Sequence, residues 1–423
     1  LEIAMSGYTI ASKTLYGEIE RLESGECIFL NNNNYYREYY YTYSPWKIVD
    51  KTKSQLQNEF LNICLETFRK IKDNLGGRQI VVPLSAGNDS RLIASGLKEV
   101  GVKNVVCFSY GRRGNFETPI SKAIASKLGY RWVYIPDRLK DKRRFFQSKV
   151  YREYIDAFES FSYTHNVQEV YEVFMLKKSN LVDDDAVFIN GSCGDFISGG
   201  HIRPTSDIKH VSKFTGEICW KKFLDKHYSL WSNLRTPAND AYIISELEKK
   251  LLLRIKETVD FGKYNYAAME SAEFIGRQSK MVMGQQRIYE FFGYEWRMPL
   301  WSNEMLSFWE SVPYQYKVDQ RLYLETLYES NWGNVWQDIK VNDKVVNPAA
   351  LRWLRTLLKI LFIPLGRSRW HRFEKNVLEY FMHPSYSLTV ASYLSILFDR
   401  KGHRGTYSWL SRQMIQSKKY KQV

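Results

Sequence analysis

The stretch that decides the fold is Leu84-Ser85-Ala86-Gly87-Asn88-Asp89-Ser90, which joins an apolar run at 79–83 to a helical pattern at 90–99. Small residues between a strand and a helix let several backbone N–H groups surround an anion, and the helix N-terminus adds a partial positive charge. The hydroxyls of Ser85 and Ser90 are further donors. The Gly-Lys-Ser/Thr ending of the common nucleotide-binding loop is absent. The stretch therefore predicts a phosphate site of another type.

Strand and helix patterns alternate on both sides of this turn. The sequence predicts strands at 79–84, 104–109, 131–135 and 186–190, with helices at 54–75, 90–99, 117–129 and 267–292. Such alternation is typical of a parallel sheet covered by helices, and ligands bind at the carboxyl ends of its strands. We expect an α/β fold with right-handed crossovers.

The two ends of the chain differ from this central part. Strand patterns at 26–30 and 35–43 flank the asparagine-rich turn 31–34, which predicts a short β hairpin. We divide the chain into a β segment at 1–45, a central α/β domain at 46–335 with an insertion at about 202–264, and a basic helical region at 336–423. The insertion is a substrate lid, a packing element or a contact surface for another protein.

A second glycine-bearing turn follows the run at 186–189. It reads Gly191-Ser192-Cys193-Gly194-Asp195, and Gly199-Gly200-His201 comes next. Both turns follow strands of one parallel sheet, so we expect them at the same edge. Each aspartate taken alone could simply cap its turn.

With two further segments, 15–26 and 292–300, the chain resembles the asparagine synthase family over about residues 8–335. The first turn is similar to the family's pyrophosphate loop Ser-Gly-Gly-x-Asp-Ser, with Ala86 in place of the first glycine. The segment 15–26 resembles the end of the family's glutaminase domain, and the chain starts at Leu1, so we expect residue 1 to be a cleavage or expression boundary. The resemblance implies the ATP pyrophosphatase fold. It also implies the cleavage of ATP to AMP and pyrophosphate, with an acyl-adenylate that ammonia attacks.

The resemblance also assigns roles to individual residues. It implies that ATP or its pyrophosphate is held by Leu84, Ser85, Gly87, Asn88, Asp89, Ser90, Ser109 and Gly191. It implies that Asp89 and Asp195 bind Mg²⁺, which prefers few carboxylates together with phosphate oxygens. Glu295 would accept a proton from the attacking amine and Arg321 would steady charge on the phosphates. The structural alternative for Glu295 is an ion pair with Arg297.

Departures from the family pattern bear on the substrate. Ser192 and Phe196 stand where asparagine synthetases have glutamates, and Leu300-Trp301-Ser302 replaces Phe-Leu-Asp. The loss of the first glutamate puts free aspartate in doubt. The motifs look most like those of family members that amidate uronic acid sugars of bacterial surface polysaccharide. Asparagine synthesis, intramolecular amide closure and an inactive nucleotide-binding scaffold are the alternatives.

Charge and cysteine usage bound the partners. The formal net charge is +15, and residues 351–423 contribute 14 Lys and Arg against three acidic residues. The basic apolar segment 351–365 is too short to span a bilayer; it could lie on an anionic membrane surface or pack on the core. We expect no nucleic-acid partner, because no recognition module is present. The five scattered cysteines and the lack of an N-terminal targeting segment in this sequence favour the cytoplasm. The family resemblance implies that the nitrogen comes from free ammonia or from a glutaminase domain or partner.

Overall fold

The computed structural model describes residues 1–32, 34–158, 160–202, 216–255, 257–259, 261, 264–341, 349–382, 392–399 and 405–416. Within these residues, the predicted α/β class is confirmed. A five-stranded parallel sheet lies at the centre, covered by helices, and an antiparallel hairpin and a helical C-terminal region flank it.

The hairpin consists of β1 (Glu26–Asn31) and β2 (Asn34–Tyr39). The central strands are β3 (Ile80–Pro83), β4 (Val105–Gly111), β5 (Arg131–Pro136), β6 (Val187–Ile189) and β7 (Glu295–Arg297). They are ordered β5-β4-β3-β6-β7, and every neighbouring pair is parallel. β3 is the first strand of this sheet in sequence and lies at its centre, next to β6. The turns that follow β3 and β6 are therefore neighbours at the carboxyl edge.

The α-helices span Glu2–Ser6, Lys53–Leu75, Asn88–Glu99, Glu117–Leu128, Leu139–Phe146, Lys149–Ala157, Val170–Lys178, Gly194–Ile197, Gly216–His227, Pro237–Arg254, Asn265–Glu273, Arg287–Phe291, Asn303–Ser311, Tyr314–Lys317, Arg321–Ser330, Ala349–Leu361, Arg367–Phe373, Glu379–Met382, Tyr393–Leu397 and Thr406–Gln416. Short 3₁₀ turns span Ser232–Leu234, Pro299–Trp301, Val318–Gln320, Trp332–Asn334 and Ile363–Leu365, and π-helical turns span Phe274–Val282 and Glu374–Leu378. The predicted single helix at 267–292 is therefore wrong in detail, because a π-helix interrupts it. Among the described residues, no helix is long and apolar enough to cross a bilayer.

The helix Lys53–Leu75 packs against the helix Asn88–Glu99, which follows the first turn. Thr52 and Gln55 form a reciprocal capping box at its start, and Gly76 ends it in the left-handed conformation, with φ of 55°. Phe68 of this helix lies so close to Gly96 that a Cβ there would stand 2.1 Å from its ring. The absent side chain thus lets the helix Asn88–Glu99 pack directly on the helix before it.

The described parts of the insertion pack on the core. Trp220 is buried, and the backbone N–H of Leu230 donates to the carbonyl of Met5 over 2.9 Å. Arg254 forms a buried ion pair with Glu23 at 2.6 Å. Residues 220–254 of the insertion therefore contact the core, whereas residues 203–215 lie outside the described residues.

Candidate functional site

The first turn is organised by its two serines. The hydroxyl oxygens of Ser85 and Ser90 are 3.0 Å apart, and Ser90 Oγ also accepts from the backbone N–H of Ser85 over 3.0 Å. The N–H of Gly87 donates to Ser85 Oγ over 3.1 Å. Leu84 is buried and its N–H donates to the carbonyl of Phe108 over 2.8 Å. These bonds fix the turn at the end of β3, with the helix N-terminus at Asn88 next to it.

Asp89 joins the two glycine-bearing turns. Its Oδ2 accepts from the backbone N–H of Asp195 over 3.1 Å. A Cβ at Gly191 would stand 2.6 Å from the carbonyl carbon of Asp89, and one at Gly194 would stand 2.5 Å from its Cγ. The predicted convergence of the two turns is therefore present, and the glycines of the second turn make room for Asp89.

The surroundings of Asp89 favour its protonated form. Burial and the neighbouring carboxylate of Asp195 raise the pKa of Asp89 to about 7. The Tyr323 hydroxyl donates to Oδ1 over 2.8 Å and opposes this shift. A divalent cation between the two carboxylates would favour the ionised form instead.

Asp195 begins a chain of charged side chains that leads into the core. Its Oδ2 lies 3.1 Å from His201 Nε2, and His201 Nδ1 lies 2.8 Å from Glu273 Oε1. Glu273 Oε2 in turn lies 3.2 Å from His227 Nε2. Burial lowers the pKa of His201, but its bonds with Asp195 and Glu273 outweigh burial and raise that pKa to about 9. Burial raises the pKa of Asp195, but the bond from His201 outweighs it and lowers that pKa.

A cavity of about 320 Å³ opens beside the first turn at the carboxyl edge of the sheet. It is lined by Pro83, Leu84, Ser85, Asp89, Ser90, Phe108, Ser109, Tyr110, Glu117, Asn166, Gln168, Glu169, Asn190, Gly191, Ser192, Gln285, Gln286, Ile288 and Tyr289. No Lys or Arg occurs among these residues. Most of the predicted nucleotide ligands are thus gathered around one space.

Unpartnered polar atoms test whether this space fits a nucleotide. Ser109 Oγ and Asn88 Oδ1 are buried and have no hydrogen-bond partner among the described residues. Ser109 lines the cavity, as a group that serves a polar ligand should. Asp195 does not line the cavity, and its side chain is 58% accessible. The residues present therefore fit ATP with Mg²⁺. Among the described residues, no group of three or more His, Cys, Asp or Glu side chains is placed to hold a metal ion. The Mg²⁺ site that the resemblance implies would have only two protein carboxylates.

Glu169 is a partly buried carboxylate in the cavity wall that no sequence motif indicates. Tyr289 donates to its Oε2 over 2.9 Å and Tyr110 to its Oε1 over 3.2 Å. Burial raises the pKa of Glu169, and the two tyrosines oppose that shift. Its backbone is left-handed, with φ of 70°, at the start of the helix Val170–Lys178. No motif marks it in the sequence, because only the fold brings residues 110, 169 and 289 together.

The C-terminal region also contributes to the cavity wall. The Tyr407 hydroxyl donates to Asn166 Oδ1 over 3.2 Å and accepts from Gln285 Nε2 at 3.3 Å. Both partners line the cavity. The helix Thr406–Gln416 is therefore part of the site's framework, although the sequence analysis assigned it to a separate region.

Glu295 does not lie at this site. It pairs in register with Val187 at the start of β6, so it stands at the amino edge of the sheet, opposite the cavity. Its Oε1 and Oε2 form ion pairs with Arg78 at 2.7 Å and Arg297 at 2.8 Å. The prediction that Glu295 is a buried proton acceptor is wrong, because its side chain is half exposed. Instead, Glu295 forms the structural ion pair with Arg297 that was the alternative interpretation.

Arg321 is near the site but does not line the cavity. It is exposed at the first residue of the helix Arg321–Ser330. Its neighbours make the contacts: Gln320 donates to Ser198 Oγ over 2.6 Å, and Tyr323 reaches Asp89. The phosphate role of Arg321 stays a prediction.

Comparison with known proteins adds no assignment. No protein-family model matches the chain, and no curated protein is significantly similar to it.

Proposed function

We propose that this protein is an ATP-dependent amide-forming synthetase, which activates a carboxylate as its acyl-adenylate and passes the acyl group to ammonia. One observation carries the proposal: Asp89, which lines the cavity together with Ser85 and Ser90, accepts a hydrogen bond from the backbone N–H of Asp195 in the turn after the neighbouring strand. The family resemblance of the two turns gives the reaction class. Ammonia would come free or from a glutaminase domain or partner.

Binding of ATP would use the groups at the carboxyl edge. The backbone around Ser85, Gly87 and Ser90 would receive the pyrophosphate, while Ser109 would face the nucleoside. Asp89 and Asp195 would hold Mg²⁺, which offsets negative charge on phosphates. This matters because no described cavity residue is a cation.

The cavity lining favours a sugar acid over free aspartate. Besides the carboxylate to be activated, free aspartate carries an α-carboxylate and an α-ammonium group, and no described cavity residue is a cation that could pair with that α-carboxylate. A uronic acid sugar presents one carboxylate and several hydroxyls. The amides of Asn166, Gln168 and Gln285 can both donate to and accept from such hydroxyls. We therefore propose that the substrate is a uronic acid sugar of surface polysaccharide, activated at its carboxylate.

Glu169 takes the role that the sequence analysis gave to Glu295. Proton removal from the attacking amine needs a base inside the cavity with a pKa moved toward neutrality. Burial moves the pKa of Glu169 in that direction, and Tyr110 and Tyr289 fix its orientation.

The deciding experiment measures AMP and pyrophosphate from Mg-ATP, ammonia and a panel of acids. A uronic acid sugar should support release, and Asp89→Asn and Asp195→Asn should each abolish it. Asp73→Asn, an exposed aspartate on the helix Lys53–Leu75, is the matched control and should keep full activity.

Other outcomes separate the alternatives. Release with free aspartate alone would identify asparagine synthesis. Isotope-labelled ammonia that stays out of a product one water lighter than its acid would identify a cyclase. ATP binding that depends on Asp89, without release for any acid, would identify a scaffold.

A further inference from the structure

The helix Ala349–Leu361 exposes an apolar stripe. Its side chains are among the most accessible large apolar groups of the described chain, at 70% for Trp353, 62% for Leu357 and 67% for Leu361. Leu354 and Ile360 belong to the same stripe and are about half exposed. At 3.6 residues per turn these five positions cover about a third of the helix circumference. Soluble surfaces rarely leave such a contiguous patch uncovered.

The stripe is separate from the face that holds the helix in place. Leu351 is buried with Trp370 and Leu378, and Leu358 and Phe362 pack on the same small cluster. The helix is thus anchored by one side while another side stays open. The exposed side chains of Ile363 and Leu365 extend the open surface beyond the helix end.

The flank of the stripe is basic. Residues 349–373 contain six Lys and Arg and no Asp or Glu. Arg352 and Lys359 are exposed and seven residues apart, so both project from one side of the helix, about 80–100° around its axis from Ile360 at the near edge of the stripe. Arg355 lies toward the anchored side and pairs with Glu374.

We infer that this surface, Trp353–Leu365 with its basic flank, docks on an anionic lipid bilayer. Apolar side chains would enter the acyl boundary while Arg352 and Lys359 meet the headgroup phosphates. Trp353 suits the interface because its ring is apolar and its N–H polar. A second copy fits less well, because pairing two such stripes would bring two basic flanks together. Nucleic acid would leave the apolar stripe uncovered.

The test is co-sedimentation of the full chain with vesicles of phosphatidylcholine, alone or with about one third phosphatidylglycerol. We expect binding to the anionic vesicles, and weaker binding at high salt. The double change Arg352→Gln with Lys359→Gln should weaken binding about twenty-five-fold, since each basic residue near such a surface contributes about fivefold. Leu357→Gln with Leu361→Gln should weaken it at least about tenfold.

Matched controls use exposed residues elsewhere. Lys149→Gln and Leu252→Gln remove a charge and an apolar side chain that are 84% and 63% exposed. Both should bind as the unchanged chain does. Absence of binding to anionic vesicles overturns the inference, and so do equal losses in the controls. Sedimentation velocity without lipid gives a further check: a dimer that Leu357→Gln with Leu361→Gln dissociates would assign the stripe to a second copy.

Discussion

The hydroxyl of Tyr323 lies 2.8 Å from Oδ1 of Asp89 and donates a hydrogen bond to it. This bond orients the carboxylate that joins the two turns. We expect Tyr323→Phe to lower kcat/KM for AMP release by about 10- to 100-fold, because groups that orient a metal-binding carboxylate contribute on that scale. Tyr328→Phe, on the same helix but exposed, should change little. Equal effects of the two variants would refute an orienting role for Tyr323.

The contact between Gly194 and Asp89 leaves no room for a methyl group. A Cβ at Gly194 would stand 2.5 Å from Asp89 Cγ, so we expect Gly194→Ala to separate the turns and lower the free energy of unfolding by about 1–3 kcal/mol. Release of pyrophosphate should fall at the same time. Gly17→Ala is the control, since nothing lies within 4 Å of a Cβ there. Chemical denaturation and the pyrophosphate assay measure both effects, and a fully active Gly194→Ala would contradict this geometry.

Substitution by glutamine should affect kcat differently at Glu295 and at Glu169. Glu295→Gln loses only exposed ion pairs with Arg78 and Arg297, so kcat should stay unchanged. Glu169→Gln removes the partly buried carboxylate of the cavity wall while keeping its size, so kcat should fall by about 10²- to 10⁴-fold. Steady-state kinetics at saturating ammonia distinguish them. A large loss with Glu295→Gln and none with Glu169→Gln would return the catalytic role to Glu295.

His165 should make the fold sensitive to acid. Burial lowers its pKa to about 4, against about 6.5 in an unfolded chain. Because the unfolded chain binds the proton more readily, stability is lost as pH falls from about 6.5 to about 4, by about 2–3 kcal/mol for this group. In His165→Gln the free energy of unfolding should fall less steeply over that window. The exposed His371→Gln should keep the original slope, and identical slopes for all three proteins would sink the assignment.

Local patterns predicted most of the central sheet. The turn after β3 and the glycines after β6 identify themselves because strand, turn and helix each have a short-range signature. β7 was missed, since Glu295–Arg297 is only three residues long and pairs with a strand about a hundred residues earlier. Resemblance placed Glu295 by its motif, but register places it at the wrong edge of the sheet.

Long-range contacts explain the rest of the missed site. Glu169 becomes a candidate only when Tyr110 and Tyr289 meet at its two oxygens, and Tyr323 only when its helix crosses the first turn. None of these residues has a neighbour in sequence that signals the contact. The glycines of the second turn were easier to identify as site residues. A glycine such as Gly191 or Gly194 indicates that another part of the chain packs closely on its backbone, even when that part is distant in sequence.

Because Tyr407 contacts two cavity-lining residues, completion of the cavity wall depends on the order in which the polypeptide is made. Its partners Asn166 and Gln285 emerge from the ribosome well before it does, so the nascent chain holds an incomplete wall until the helix Thr406–Gln416 has been synthesised and docked. Premature termination upstream of that helix would yield a protein that retains both aspartate turns yet lacks this brace. If the proposed function is right, such truncated products would bind nucleotide but lack a complete site for the acid to be activated.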